Sequence, residues 1–85
     1  MPYDVRWSDD ALERLAELWL DASDPSAVTA ANLEIDRRLA RDPWSQGESR
    51  AGTRRVFVER PLIIAYEIIE DDKRVIVLKV GRTEG

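Results

Sequence analysis

The sequence contains no cysteine and no histidine. Without cysteine there is no disulfide bond, no thiolate metal ligand and no thiol nucleophile. Without histidine there is no ordinary zinc site and no Ser-His-Asp triad. Any catalysis must therefore rely on carboxylates, tyrosines, lysines and arginines, and we expect neither a metal ion nor any other cofactor.

Long apolar runs are also missing. No stretch approaches the ~20 apolar residues that cross a bilayer, and the opening MPYDVRW lacks a basic region followed by an apolar one. We therefore expect a cytoplasmic protein with no membrane partner. A chain of 85 residues is long enough for one small domain, 1–85, with a single hydrophobic core.

Basic residues are outnumbered by acidic ones, and they are unevenly placed. The net charge is −4, with −6 in residues 1–48 and +2 in residues 49–85. Proteins that bind nucleic acids usually have an excess of lysine and arginine, so the whole-chain charge argues against that function. A basic face can still coexist with an acidic back, which makes the arginines of the second half the first functional candidates.

The N-terminal half predicts a strand followed by two helices. The segment YDVRW (3–7) alternates apolar and polar residues, as a strand buried on one face does. Ser8 can cap a first helix, and Pro25 suits the first position of a second helix that ends near Asp42, before Pro43. The first helix has an apolar stripe at helical spacing. Its members are Leu12, Leu15, Trp19 and Ala22, with Ala11 and Leu18 beside them.

The period then changes from helical to strand-like. The segment PWSQGESRAG (43–52) is polar and contains glycine, which predicts a loop. Residues 53–59, 62–69 and 74–80 are rich in Val, Ile, Phe and Tyr, and they predict three strands joined by short turns into an antiparallel meander. The order strand, helix, helix and three strands (β-α-α-β-β-β) is an α+β fold with a helical hairpin on one face of the sheet.

Four segments carry a resemblance to a known family. They are VRWSDDALERL, IDRRLARDP at the end of the second helix, GESRAGTRRVFVERPLIIAYEI, and RVIVLKVGR in the last strand. Together with the order of elements, they make nearly the whole chain similar to the RelE/ParE superfamily of small bacterial toxins. The resemblance implies the toxin of a type II toxin-antitoxin system, bound by a cognate antitoxin protein.

The resemblance implies two different activities. Many members are endoribonucleases (mRNA interferases) that cut mRNA in the ribosome, using basic residues on the open sheet face and a catalytic residue near the end of the last strand. The ParE branch instead inhibits DNA gyrase and needs no nuclease site. We expect the first activity, with ribosome and mRNA as partners. The alternatives are gyrase inhibition and a catalytically silent member that only binds its antitoxin.

Alternation along the strands predicts which side chains face away from the helices. If Val56 and Val58 face the helices, Arg55 and Phe57 lie on the open face, where a base can stack on the ring beside a cation. On the last strand the more continuous apolar set should be buried: Ile76, Leu78 and Val80. The alternate set should share the open face: Val75, Val77 and Lys79.

A nuclease site needs cations and a group that transfers protons. Lys79 and Arg82 match the late catalytic region of the family. The catalytic candidates are Arg55, Lys79, Arg82 and Glu48. The RNA-binding candidates are Arg50, Arg54, Phe57 and Arg60. We expect Arg54 or Arg55 to converge with Lys79 and Arg82 in one concave surface opposite the helices.

The end of the chain departs from these relatives. Ribosome-dependent nucleases often carry a tyrosine or histidine close to the C-terminus, whereas this chain ends KVGRTEG. Proton transfer would fall to Glu48, Glu59, Tyr66 or a lysine. A free tyrosine titrates near pH ~10 and a free glutamate near ~4.3, so either needs a strong shift to act well at neutral pH. This departure favours the non-enzymatic alternatives.

The first helix provides a candidate surface for the antitoxin. Its apolar stripe is wider than one core face of so small a domain requires, and we assign partner binding to Leu18, Trp19 and Leu20. We predict that a segment of the antitoxin covers part of the sheet or of the helical hairpin.

Overall fold

The fold consists of a five-stranded sheet and two helices. The computed structural model describes residues 2–83; Met1, Glu84 and Gly85 of the expected domain lie outside them. The elements in chain order are β1 (Asp4–Trp7), α1 (Asp9–Asp21), α2 (Pro25–Arg41), β2 (Glu48–Ala51), β3 (Arg54–Glu59), β4 (Leu62–Ile69), a 3-10 turn (Glu70–Asp72) and β5 (Arg74–Arg82). The predicted α+β fold class is confirmed. Within the described residues, neither helix has the length and apolar character to span a bilayer.

The sheet has the strand order β1-β5-β4-β3-β2. Strand β1 is parallel to β5, and the other neighbours are antiparallel, so that β3, β4 and β5 form the predicted meander. Strand β2 was predicted as a loop, and that prediction is wrong. All four of its residues are exposed because it lies at the edge of the sheet, so no apolar alternation marks it in the sequence.

Two glycines allow β2 to form and pair with β3. Gly52, in the turn between the two strands, has φ 56°, and no atom of a neighbouring element lies within 4 Å of the position that a Cβ atom would occupy. Gly47, just before β2, has φ 64°, and a Cβ atom there would lie 2.0 Å from the carbonyl oxygen of Val56. A residue with a side chain at position 47 must therefore push β3 away.

The helices cover one face of the sheet and enclose the core. Ser8 caps α1 as expected, its Oγ accepting a hydrogen bond of 3.1 Å from the amide of Ala11. The helices contribute the buried residues Ala11, Leu18, Val28, Ala31, Ile35 and Leu39. The sheet contributes Phe57, Leu62, Ile64, Tyr66, Ile68, Val75, Val77 and Val80.

A bulge in β5 changes which of its residues are buried. The pairing with β4 shifts between Val77 and Lys79, which leaves Leu78 as an extra residue. Val77 and Val80 are therefore both buried, although they are three positions apart. Simple alternation along this strand does not hold across the bulge.

The predicted faces of β5 are accordingly wrong in part. Two residues expected in the core are only half-buried: Ile76 and Leu78. Two residues expected on the open face are fully buried: Val75 and Val77. Only the burial of Val80 agrees with the expected core set.

A cluster around Glu70 ties the N-terminal segment to the loop after α2. The Tyr3 hydroxyl and the Trp44 indole nitrogen each donate a hydrogen bond of 2.7 Å to Glu70 Oε1, and Lys73 forms an ion pair with Oε2. The Lys73 ammonium also lies 5.2 Å from the centre of the Tyr3 ring. Hydrogen bonds from Lys73, Tyr3 and Trp44 lower the pKa of Glu70 from 4.5 to about 2.

We predict that this cluster makes the stability depend on pH in the acid range. The folded protein keeps Glu70 ionised at a pH where the unfolded chain already takes up a proton. Its contribution is therefore fully present above pH 4.5 and is lost as the pH falls towards about 2. Urea unfolding at neutral and acid pH measures this loss, which we expect to be smaller in Glu70→Gln. An equal loss in both proteins would contradict the assignment.

Candidate functional site

The orientation of β3 decides which side chains lie on the open face, the face away from the helices. Phe57 is 7% exposed and packs in the core, whereas Val58 is 46% exposed. Because side chains alternate along a strand, Arg55 points to the helix side with Phe57, and Val56 points to the open face with Val58. The predicted orientation is thus wrong, and Phe57 offers no free ring to a base. The larger side chain of the VFV run fills the core.

Arg55 is bound to the backbone of the segment before β2. Its Nε donates a hydrogen bond of 2.9 Å to the Gln46 carbonyl, and its Nη2 donates one of 3.1 Å to the Gly47 carbonyl. The hydroxyl of the buried Tyr66 lies 2.8 Å from the carbonyl oxygens of Pro43 and Gln46, which share its proton. Arg55 and Tyr66 together hold this segment against the sheet, so the guanidinium is engaged with carbonyl groups.

Arg54 and Lys79 do lie on the open face. Arg54 is opposite Glu67 on β4, and its Nε lies 3.1 Å from the Glu67 carboxylate. Lys79 is exposed and opposite Ala65 on the same strand. The two cations are therefore on one face but on different sides of β4.

Arg82 and Arg60 lie at one end of the sheet. Arg82 is opposite Leu62, which is fully buried on the helix side, so the register directs Arg82 to that side as well. A backbone hydrogen bond of 2.9 Å from Thr83 to Pro61 joins the end of β5 to the turn that carries Arg60. Both arginines are exposed.

The site expected from the sequence is therefore divided between two faces. Arg54 and Lys79 lie on the open face, whereas Arg55 and Arg82 lie on the helix side. The predicted convergence of these cations in one concave surface is wrong. It assumed the opposite orientation of β3 and an unbroken alternation along β5.

The candidate proton-transfer groups are also far from forming one cluster. Tyr66 is fully buried, and burial raises the pKa of its hydroxyl, partly offset by Arg55. Glu48, at the exposed sheet edge, forms an ion pair of 3.1 Å with Arg50. Glu59 shares the helix side of β3 with Arg55. The three groups thus occupy the core, the edge of the sheet and the helix side.

In place of a cation cluster, the open face carries an apolar groove. Its volume is about 270 Å³, and it adjoins a depression of about 420 Å³ that extends towards β2. The small residues Ala65 and Gly81 make its floor low in the middle of the sheet. We call the two together the open-face groove. Its lining includes Val56, Val58, Ile63, Ala65, Lys79 and Gly81, with Glu48 and Arg50 on the side of β2.

A second apolar groove, the hairpin groove, lies between α1 and α2. Its volume is about 390 Å³, and its lining includes Leu12, Trp19, Leu20, Thr29 and Asn32. Leu20 is 73% exposed, Leu12 49% and Trp19 44%. The Trp19 indole donates a hydrogen bond of 3.1 Å to Thr29 Oγ1, while Asn32 Oδ1 is buried without a hydrogen-bond partner in the described part of the chain.

The predicted partner-binding residues are divided by this arrangement. Trp19 and Leu20 line the hairpin groove, but Leu18 is 3% exposed and packs in the core. Placing Leu18 at a partner surface is therefore wrong. The core stripe of α1 is centred on Ala11 and Leu18, and Leu12 lies on its flank, although the sequence predicted it at the centre.

Sequence reasoning missed both the groove at Gly81 and the partners of Arg55. A glycine inside a strand pattern marks a place without a side chain, so Gly81 was a usable signal for the open-face groove. The carbonyl oxygens that bind Arg55 have no signature in the sequence. Among residues 2–83, no group of three or more acidic side chains is placed to hold a metal ion.

The fold is similar to several solved structures. The toxin-antitoxin complex RelBE2 from Mycobacterium tuberculosis has a TM-score of 0.80 and 21% identity, covering 96% of this chain and 92% of that one. The chromosomal ParDE system of P. aeruginosa has a TM-score of 0.70 and 18% identity, covering 96% and 97%. The isolated E. coli RelE toxin has a TM-score of 0.70 and 16% identity, covering 98% and 86%.

The sequence itself carries the family assignment. No curated protein sequence matches the chain. Residues 5–85, however, match the family model of the ParE toxin of the type II toxin-antitoxin system parDE. This match spans nearly the whole chain and agrees with the resemblance to the RelE/ParE superfamily. The protein therefore belongs to the family of ParE toxins and is the toxin component of a type II toxin-antitoxin system.

Proposed function

We propose that this toxin acts in the cytoplasm by binding DNA gyrase and not by cutting mRNA. The observation that carries the proposal is the division of the expected site between two faces. Arg55 is bound to two carbonyl groups, and Arg82 points to the helix side. A phosphoryl-transfer site needs preorganised cations around one reacting phosphate. The match to the ParE family supports the same choice, because the ParE branch inhibits gyrase.

The chemistry of proton transfer also supports a non-enzymatic toxin. Burial raises the pKa of Tyr66 further above neutrality, which makes this hydroxyl a poor general base. Glu48 is paired with Arg50 at the exposed edge of the sheet. Among residues 2–83, the candidate acid and base groups thus do not face each other across a cation.

A ribosome-dependent mRNA endoribonuclease is the second candidate. It is favoured by the presence of Lys79 and Arg54 on the open face, where the nuclease branch carries basic residues. Against it, Arg54 is paired with Glu67, and the surface between the two cations is apolar. The ribosome and mRNA are partners only in this alternative.

Mapping of mRNA ends during expression of the wild-type toxin separates the two candidates. We expect growth to stop while the ends of ribosome-bound messages stay unchanged, because the cations do not form a cleavage site. New mRNA ends that appear within minutes and precede growth arrest would instead establish the nuclease.

We further propose that the cognate antitoxin covers the hairpin groove. The similar structures from Mycobacterium tuberculosis and P. aeruginosa are described as a toxin-antitoxin complex and a toxin-antitoxin system. The exposed Trp19 and Leu20 provide apolar anchors of the kind that interfaces bury.

We predict that Leu20→Asp weakens antitoxin binding at least about tenfold, because a carboxylate would be buried in an apolar contact. Ala30→Asp is the matched control, since it adds the same charge on the exposed outer side of α2. Titration calorimetry with the product of the neighbouring reading frame measures both affinities. Equal affinities for the two variants would show that the hairpin groove is not the antitoxin site.

A further inference from the structure

The open-face groove has the form of a docking site for an extended apolar segment. Val56 and Val58 on β3 stand beside the low floor made by Ala65 and Gly81, and Ile63 lies at the join with the second depression. Val58 is 46% exposed, although it is apolar. The two adjoining depressions span strands β2 to β5 and leave this apolar surface uncovered in the free toxin.

The charges beside the groove define the chemistry of its occupant. Lys79 lines the groove itself, Arg50 lines its part next to β2, and Arg60 lies in the turn at the adjacent end of the sheet. Among the described residues that line the groove, the one carboxylate is Glu48, which is already paired with Arg50. An apolar segment flanked by carboxylates therefore fits both the floor and the rim.

The same observations disfavour a nucleic acid in this groove. Single strands are held by a track of cations together with aromatic rings on which bases stack. The lining of the open-face groove is mostly aliphatic, its cations in the described part of the chain are Lys79 and the paired Arg50, and Phe57 at its border is only 7% exposed. A protein segment is the occupant that this surface matches.

We propose that the open-face groove binds an acidic, apolar segment of the toxin's target protein, an inference that rests on the proposed inhibition of gyrase by protein binding. The hairpin groove lies on the opposite side of the sheet, beside α1, which carries five carboxylates and one arginine. The two grooves thus suit segments of opposite charge. The toxin binds its target with the sheet and its antitoxin with the helices.

Filling the groove tests this assignment without disturbing the core. A Cβ atom at Gly81 would meet Ile63 Cγ2 at 3.7 Å, an ordinary contact, and the backbone there is not left-handed. Gly81→Val should therefore fold, which circular dichroism and thermal melting check. We expect it to bind purified DNA gyrase at least about tenfold more weakly than the wild type and to lose growth arrest, while it keeps its affinity for the antitoxin.

Charge reversal provides the second arm of the test. Lys79→Glu should weaken gyrase binding, because the new carboxylate repels the acidic segment. The loss of affinity should be larger at low salt, where this repulsion is less screened. Arg41→Glu makes the same change of charge at an exposed position near the end of α2 and should bind gyrase like the wild type. Equal weakening in both variants would mean that only the net charge matters and would overturn the proposed site.

The remaining outcomes also decide the matter. A folded Gly81→Val that binds gyrase and arrests growth like the wild type overturns the groove as the target site. Loss of antitoxin binding with gyrase binding intact assigns the groove to the antitoxin and overturns it equally. If the wild type binds no gyrase, the proposed function itself fails, and this inference fails with it. New mRNA ends that depend on the groove would assign it to RNA.

Discussion

Gly47→Ala is expected to lower the free energy of unfolding by about 3 kcal/mol or more. The added Cβ would lie 2.0 Å from the Val56 carbonyl oxygen, and the backbone has φ 64°, so steric overlap and left-handed strain act together. A small domain has little stability to spare. Urea unfolding, followed by tryptophan fluorescence, measures the loss.

Gly52→Ala is the control for the strain alone. This glycine has φ 56°, but nothing lies within 4 Å of the place of its Cβ. We therefore expect a loss of only about 1 kcal/mol. If both variants lose the same amount, the segment before β2 does not approach β3 as closely as described.

Arg55→Ala is expected to destabilise the protein by about 1.5–3 kcal/mol, the usual range for hydrogen bonds made by a charged group. The substitution removes the donors to the carbonyl groups of Gln46 and Gly47, which hold the segment before β2. Toxicity should fall only as far as the amount of folded protein falls. Equilibrium unfolding and expression level, measured together, establish this.

Arg54→Ala provides the comparison for Arg55→Ala. The neighbouring arginine is exposed and makes a surface ion pair with Glu67, so its removal should change stability by less than about 1 kcal/mol. If Arg55→Ala is as stable as Arg54→Ala and still loses all toxicity, Arg55 acts directly on the target or on RNA, and the structural role assigned to it is wrong.

The layout of the fold was predictable because each large element carries its own period. The Ser8 cap, the apolar stripe of α2 and the β-branched runs of β4 and β5 are local signals that agree with the final architecture. Strand β2 was not predictable in this way. Its pairing depends on Gly47 and Gly52 and on contacts with β3, and none of its residues is buried.

The candidate site was harder to predict because it depends on which face of each strand is buried. In the run RRVFVE (54–59), each face of the strand carries at least one apolar side chain: Val56 and Val58 on one face and Phe57 on the other. Only packing against the helices decides that Phe57 is buried. In β5, the extra residue Leu78 reverses the alternation before Lys79. A shift of one residue exchanges the two faces of a strand. The residues that were expected to form one site therefore lie on opposite faces of the sheet.

The decisive experiment is supercoiling of relaxed plasmid by purified DNA gyrase, measured with increasing amounts of the wild-type toxin. We expect supercoiling to be lost as the toxin is added and to be restored by the antitoxin, while ribosome-bound mRNA treated with the same toxin stays intact. Undiminished supercoiling together with specific cleavage of the ribosome-bound mRNA would refute gyrase inhibition and assign the toxin to the nuclease branch.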